Sequence, residues 1–295
     1  NNVVSRAVEN DIPLIYLNLV GGQDELIFDG GSFAVNSDGQ LACQLPMFET
    51  FDGVIEIENN SNSLKISSNH LFKDQTGYES LYSAIMLSLR DYVTKNSFKN
   101  VILGLSGGID SALVSAVAVD ALGPENVRCF MLPSKFTSQD STNDAKDIAR
   151  RLDIKLEELS IEELYNSVEN TLEKTFNSLE KDITEENIQS RLRALLLMAV
   201  SNKFGNMLIS TSNKSESAVG YSTLYGDMSG GFAPLKDVWK TDVVGLCNWR
   251  NKNKPQSSKC PKLDIIPSNI IAKPPTAELR ENQKDSDSLP DYKIL

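Results

Sequence analysis

The sequence predicts an α/β protein built on a doubly wound parallel sheet, preceded by a β-rich stretch. Three observations predict it. From residue 79 onward, short apolar runs alternate with segments of helical apolar spacing, the pattern of parallel strands joined by crossover helices. Before residue 59 the apolar runs are separated instead by short Gly- and Asp-rich turn signals, which read as strands and turns. Between the first buried run of the second part and its following helix lies the Gly-rich string 104–111 (GLSGGIDS), and the carboxyl ends of such strands are where open α/β sheets bind ligands.

The elements follow in order. Residues 12–20 (IPLIYLNLV) are apolar and partly alternating, and 26–28 and 32–35 read as further strands. Asp29-Gly30-Gly31 between these two reads as a hairpin turn, and residues 37–40 (SDGQ) as another turn before a strand at 41–45. Residues 59–69 (NNSNSLKISSN) are polar and Asn/Ser-rich, which predicts a linker. The boundaries expected are therefore 1–58 for a first, partial domain, 59–76 for the linker and 77–295 for a second domain. Leu81, Ile85, Leu89 and Val93 recur at helical spacing. A buried strand at 101–105 precedes a helix at 111–122, which Gly123-Pro124 ends. Strands at 127–132 and 154–159 flank a helix at 140–152, and a further helix lies near 162–172. Asp182 and Glu185 have the spacing of a capping box, opening a helix that runs to about residue 203. On it Ile188, Leu192, Leu195 and Ala199 read as the buried face, with Asn187, Arg191 and Ala194 as a neighbouring stripe. A fourth strand is expected at 207–211.

Composition excludes several classes of function. The net charge of −11 over 295 residues argues against a nucleic-acid binder, whose affinity rests on Lys and Arg. The longest apolar run, 194–200 (ALLLMAV), is far too short to span a bilayer. His70 is the single histidine, and Cys43, Cys129, Cys247 and Cys260 form no CxxC pair, so Cys/His zinc sites and Ser-His or Cys-His nucleophiles are not expected. Unpatterned cysteines fit a reducing, cytoplasmic compartment. The chain does not open on Met, and it reads as part of something longer.

The chemistry concentrates at 104–111. Phosphate binding needs backbone N–H groups aimed at one point, and Gly107 and Gly108 allow that approach without a Cβ in the way. Gly104, Leu105 and Ile109 complete the strand-loop-helix transition, Ser106 and Ser111 offer hydroxyl donors, and the following helix adds its positive dipole end. Asp110 would repel phosphate on its own, and fits there as a ligand of Mg²⁺ bridging phosphate oxygens. A plain Gly-Gly turn with Asp110 as helix cap is the structural alternative. The Walker pattern GxxxxGK[ST] and the GxGxxG fingerprint are both absent.

The string SGGIDS resembles the signature of the ATP-pyrophosphatase (PP-loop) superfamily, which includes NAD synthetases, GMP synthetases, asparagine synthetases and tRNA-thiolating enzymes. The resemblance implies an adenine nucleotide alpha hydrolase-like fold and cleavage of ATP between its α and β phosphates. The loop alone does not choose a member. Three further strings do: 185–194 (EENIQSRLRA), 210–227 (STSNKSESAVGYSTLYGD) and 230–240 (GGFAPLKDVWK), which resemble the synthetase part of glutamine-dependent NAD synthetases. That resemblance implies a ligase that amidates deamido-NAD through an acyl-adenylate. It implies ATP contacts at residues 104–111, Thr211, Lys240 and Thr276, Mg²⁺ ligands Asp110 and Glu216, and catalytic roles for Asp110 and Lys240. It places deamido-NAD at Asn187, Arg191, Glu216 and Tyr221. Lys236 reads as solvated, and residues 274–279 (PPTAEL) resemble a segment that closes over the active site. Residues 247–262 match nothing in the family pattern. Residues 13–48 resemble the last strands of a nitrilase-type glutaminase domain, the source of ammonia in such enzymes. That domain's Cys, Lys and Glu are not identifiable here, and Cys43 reads as an inert packed thiol. Small-molecule partners only are implied, namely ATP, deamido-NAD and ammonia or glutamine, in a homo-oligomer of two or more copies.

Overall fold

The alternation of apolar runs and helical spacing from residue 79 onward is realised as a four-stranded parallel sheet, and its strand order decides where a ligand can sit. The computed structural model describes residues 2–60, 63–177, 179–281, 283–292 and 294. Two compact units are formed, Asn1–Asp91 and Tyr92–Leu295.

The first unit opens with helix α1 (Asn2–Glu9) and continues as β1 (Leu14–Tyr16), β2 (Val20–Gln23), β3 (Leu26–Asp29), β4 (Phe33–Val35) and β5 (Leu41–Gln44). Strands β1, β4 and β5 make an antiparallel sheet in that order, and β2 pairs with β3 alone. A helix at the start was not expected, because this stretch reads as strands and turns. The hairpin turn also moves: β2 and β3 pair with Gln23 opposite Leu26, so the chain reverses at Asp24-Glu25. Gly30 and Gly31, both at positive φ, carry the chain from one sheet to the other, and their N–H groups donate to the carbonyls of Leu19 and Pro46. The Asn/Ser-rich stretch expected as a linker contributes to a hairpin, β6 (Glu56–Asn60) with β7 (Ser63–Ser67); residues 61 and 62 lie outside the described residues. Backbone pairing tolerates polar side chains, and the buried Ile66 packs with Ala34 and Cys43. Cys43 is buried and packed there, as expected. Helix α2 (Gly77–Lys95) follows, and Asp91 on it accepts a hydrogen bond from the Gly22 N–H at 2.9 Å.

The second unit holds β8 (Val101–Gly104), α3 (Ile109–Leu122), β9 (Val127–Met131), α4 (Gln139–Leu152), β10 (Lys155–Glu158), α5 (Glu162–Phe176), α6 (Ile183–Phe204), β11 (Met207–Leu208), α7 (Lys214–Val219), α8 (Lys240–Lys252) and α9 (Ser268–Ala272). The sheet order is β10-β9-β8-β11 and every pairing is parallel. Winding therefore reverses between β8 and β11, which opens a crevice at the carboxyl end of β8.

Alternation along the strands divides the sheet's side chains between two helical layers. Ile102, Phe130, Leu132 and Leu208 pack with Leu196, Leu197 and Val200 of α6 on one face. Leu103, Cys129 and Met131 point the other way, toward α3 and α4, which pack on β8 and β9. Helix α3 is buried along its whole length apart from Asp110, which a helix apolar on all sides requires. Asp182 caps α6 in the expected box with Glu185. Its buried face differs from expectation: Leu195 is 61% exposed and Ala199 is also exposed, while Gln189, Leu192, Arg193, Leu196, Leu197 and Val200 turn inward. A helix that is apolar nearly all round gives no unique stripe, so packing chose it. Strand β11 is shorter than predicted: Ile209 still donates its N–H to the Ile102 carbonyl of β8 but pairs as an isolated bridge with Phe232.

Candidate active site

The loop after β8 is shaped by close packing. Gly107 has φ +83°, and a Cβ there would lie 2.2 Å from the backbone oxygen of Ser141, in the first turn of α4. Gly108 is the N-cap of α3 and no side chain caps that helix, which leaves its N-terminal donors facing the crevice. Asp110 is thus the second residue of the helix and not its cap. Ser106 Oγ accepts the Gly108 N–H at 3.2 Å and contacts Ser111 Oγ at 3.1 Å. Ser111 is buried and donates to the Gly108 carbonyl at 3.0 Å. Its hydroxyl staples the loop, in place of the outward donor expected from the sequence.

Asp110, Glu216 and Lys240 meet in front of this loop. Lys240 Nζ donates to Asp110 Oδ2 and lies 3.8 Å from Glu216 Oε1. Asn213, fully buried, holds the two carboxylates: its Nδ2 donates to Asp110 Oδ1 at 2.9 Å and its backbone N–H to Glu216 Oε2 at 3.3 Å, while its Oδ1 accepts the Glu216 backbone N–H at 3.0 Å. Asn213 and Glu216 form a capping box on α7. Asn213 was not anticipated from the sequence, although its spacing from Glu216 is that of the box. Burial and the negative charge of Asp110 push the Glu216 carboxyl up to about 8, against the opposing pull of Lys240. Burial would lower the pKa of Lys240, but the charges of Asp110 and Glu216 and the hydrogen bond to Asp110 outweigh it and raise it.

Two adjoining cavities surround the cluster. One, of ≈ 270 Å³, runs between β8, β9 and α6, with Gly104, Leu105, Leu132, Ala194, Leu197 and Ile209 in its largely apolar wall. The second, of ≈ 230 Å³, is lined by Gly108, Ile109, Asp110, Ser111, Glu216, Tyr221, Lys240 and Thr276. Ser106, Thr211, Ala277 and Glu278 border both. Of the expected ATP contacts, 104–106, 108–111, Thr211, Lys240 and Thr276 thus come together, while Gly107 serves by its backbone shape. Thr276 spends its hydroxyl on the Gln283 carbonyl at 2.6 Å, and Tyr221 donates to Asp285 at 3.4 Å.

Asn187 and Arg191 line neither cavity. Asn187 Oδ1 accepts from Thr223 Oγ1 at 2.8 Å, and the exposed Arg191 donates through Nε to the Leu224 carbonyl at 3.2 Å. Both reach the 221–227 loop, and neither bond is to a carboxylate of the same helix. Lys236 is exposed, as expected. Residues missed in the sequence include Arg193, whose buried guanidinium borders the larger cavity and donates to the Leu132 carbonyl at 3.0 Å; burial pulls its pKa down to about 10. Glu278 was missed too. Its Oε1 accepts from Ser138 Oγ at 2.7 Å and Ser141 Oγ at 2.8 Å, which ties the 274–279 segment to the start of α4.

The donor set suits a hard divalent cation. Asp110, Glu216 and Asp285 border the smaller cavity with Lys240 and Lys273, and Lys273 is already paired with Asp144. An acidic excess beside a helix N-terminus favours a cation that enters together with an anion. Among the described residues no three His, Cys, Asp or Glu side chains converge. Two carboxylates that leave other positions to phosphate and water are the Mg²⁺ pattern. Among the described residues no helix is long and apolar enough to cross a membrane.

The sequence model of the NAD synthase family matches residues 81–295. A glutamine-dependent NAD(+) synthetase of Rhodobacter capsulatus is 51% identical over 291 residues, 99% of this chain and 53% of that protein. The chain thus spans about half the length of the curated relatives it matches. Among solved structures, glutamine-dependent NAD+ synthetase from Acinetobacter baumannii, in complex with adenosine diphosphate, superposes with a TM-score of 0.85 at 41% identity, over 99% of this chain and 51% of that one. NMN synthetase from Francisella tularensis does so with a TM-score of 0.64 at 26% identity, over 74% of this chain and 84% of that one. The family match begins in α2 and takes in every residue of the crevice at the β8 switch point, the loop, the two carboxylates and Lys240 included. This chain belongs to the NAD synthase family.

Proposed function

We propose that this chain carries the amide-forming site of a glutamine-dependent NAD synthetase: ATP-dependent amidation of deamido-NAD to NAD through an acyl-adenylate, with release of AMP and pyrophosphate. The observation that carries the reading is the common wall of the two cavities. A nucleotide with its base and ribose in the larger one passes Ser106 and Thr211 and brings its phosphates to Asp110, Glu216 and Lys240. The ADP complex of the Acinetobacter baumannii relative supports a nucleotide in this fold. Residues 1–58 fit as the end of the ammonia-supplying domain, in line with the full-chain match to glutamine-dependent relatives.

In this reading the nicotinate carboxylate attacks the α-phosphorus of ATP and the bond to the pyrophosphate oxygen breaks. Lys240 and the N–H groups at the start of α3 face the negative charge that develops on the leaving group. Mg²⁺ held by Asp110 and Glu216 would neutralise phosphate oxygens and orient them. Asn213 keeps both carboxylates aimed at one point through its side-chain amide and its backbone N–H. Ammonia then adds to the acyl carbon, AMP leaves with its phosphate oxygen, and the extra proton passes to solvent. The 274–279 segment, pinned by Glu278 to α4, shields the adenylate from water. Arg191 and Asn187 lie outside both cavities and serve the dinucleotide's distal part.

The test is product analysis with ATP, ammonium and deamido-NAD. NAD and AMP should form in equal amounts; ADP with inorganic phosphate would refute the adenylate. Nicotinate mononucleotide serves as the competing substrate, because NMN synthetase shares the fold. Faster amidation of the mononucleotide would replace deamido-NAD in this reading.

A further inference from the structure

A second ion pair joins the two helices that bring Asp110 and Lys240 together. Asp110 and Asp120 lie ten residues apart on α3, and Lys240 and Arg250 lie ten residues apart on α8. The first pair faces the crevice; the second is buried completely, both side chains at 0% exposure. Arg250 Nε donates to Asp120 Oδ2 at 2.6 Å and Nη2 to Oδ1 at 2.9 Å. The fork's other donors reach the carbonyls of Asn253 and Lys262. Ser258 Oγ donates to Asp120 Oδ1 at 2.6 Å, and the Lys259 N–H to the Asp120 carbonyl at 2.9 Å. The helices run in the same direction, and the two pairs are separated by about 15 Å of helix rise.

From this arrangement we infer that Asp120 and Arg250 are positioning residues: they lock the register of α8 against α3 and thereby set Lys240 against Asp110 and Glu216. The inference rests on the functional reading of Lys240 given above. Three observations carry it. Between the two pairs both helices carry buried apolar residues at the spacing of the paired side chains, Leu113 and Val117 on α3 and Val243 and Cys247 on α8, and apolar contacts resist sliding weakly because they have no direction. A slip of one residue moves a helix side chain about 1.5 Å along and 100° around the axis, which is enough to take Lys240 out of hydrogen-bond range of Asp110. A bidentate Arg–carboxylate pair permits one geometry only. Buried ion pairs contribute little net stability compared with apolar replacements, so their value here is specificity. Residues 253–262, for which the sequence alone suggested no function, acquire a role as the sleeve that satisfies this pair.

The test uses the full chain and reads Lys240 directly. Acetic anhydride labelling is mapped by peptide mass and normalised to the exposed Lys155, and reaction of the buried Cys129 thiol reports general loosening. Thermal melting and steady-state kinetics accompany both. The variants are the double Asp120→Leu/Arg250→Met, which removes the pair without orphaning a charge, and Arg250→Lys, which keeps the charge and loses the fork. Register loss should raise Lys240 labelling about tenfold or more, as expected when one charge-assisted hydrogen bond is lost. Cys129 should stay unreactive. The kcat should fall by about 100-fold, the effect of an ångström-scale misplacement, with the KM for ATP changed less than about threefold. Unchanged Lys240 labelling in a folded variant would overturn the inference. So would a rise shared by Lys240 and Cys129, which would make the pair a general stabiliser. If the double variant does not fold, Arg250→Lys decides alone. A wild-type chain that makes no NAD would fail the functional reading and leave the labelling result intact.

Discussion

Gly107→Ala probes the physical basis of the phosphate loop, because the structure supplies both contributions to its cost. At φ +83° a Cβ faces the following carbonyl, a backbone penalty of about 1–2 kcal/mol. The same Cβ would stand 2.2 Å from the Ser141 oxygen and 3.0 Å from its carbonyl carbon, so loop and α4 must separate by about 1 Å to reach ordinary contact. Both partners are backbone, and neither can rotate away. Overpacking of this kind costs about 1–3 kcal/mol more, giving a total of about 2–5 kcal/mol. In a chain of this size that corresponds to a fall in Tm of roughly 4–20 °C, or to a comparable loss of ADP binding where the loop alone yields. Two neighbours calibrate the result. A Cβ at Gly104 meets Leu197 at 3.5 Å and Leu132 at 3.8 Å, so Gly104→Ala should change Tm by only a degree or two. A Cβ at Gly108 meets the Ser106 hydroxyl at 3.3 Å, a side chain that can turn, so Gly108→Ala should fall between them. Thermal melts with and without ADP, and titration calorimetry, measure all three. A Gly107→Ala protein with wild-type Tm and wild-type ADP affinity would refute the reasoning.

Three further outcomes are expected. Asp110→Asn and Glu216→Gln should each lower Mg²⁺-dependent turnover by orders of magnitude with circular dichroism unchanged, and near-normal activity in either would remove that residue from the metal site. Because burial and Asp110 push Glu216 up to about 8, metal binding below that pH must displace its proton, so Mg²⁺ affinity should rise with pH from 6 to 8 and level off above. Calorimetry in buffers of different ionisation enthalpy counts the released proton, and a pH-independent affinity without proton release would contradict the raised carboxyl. Arg191→Ala removes an exposed guanidinium anchored on the Leu224 carbonyl and should weaken deamido-NAD by about 1.5–3 kcal/mol, one to two decades, while ADP affinity holds. Equal losses for both ligands would leave Arg191 as helix surface.

What the sequence determined by itself was local. Alternating apolar runs gave the strands and helices of the second unit as far as β11, because a parallel strand buried on both faces and a helix on one must each write its period into the chain; the helices α7, α8 and α9 that follow were not read from it. The loop was equally legible: a tight turn between strand and helix demands glycines, and its serines and aspartate stand next to them in sequence. The capping boxes at Asp182 and Asn213 follow the same local logic, and only the first was read. Tertiary structure decided what depends on distance across the chain. Asp110, Glu216 and Lys240 lie on three helices, and no pattern within any of them states that they meet. The inward face of α6 came from the sheet it covers, since its apolar residues point in every direction. Whether Ser111 faced phosphate or the loop's own carbonyl, and whether Arg191 sat in a cavity or on a neighbouring loop, turned on where packed elements placed each side chain. Asp120 and Arg250 show the limit most plainly. Neither was singled out in the sequence, and only the packing of α3 on α8 makes them one buried pair, because the cost of burying either charge is met by the other together with Ser258 and the carbonyls of Asn253 and Lys262.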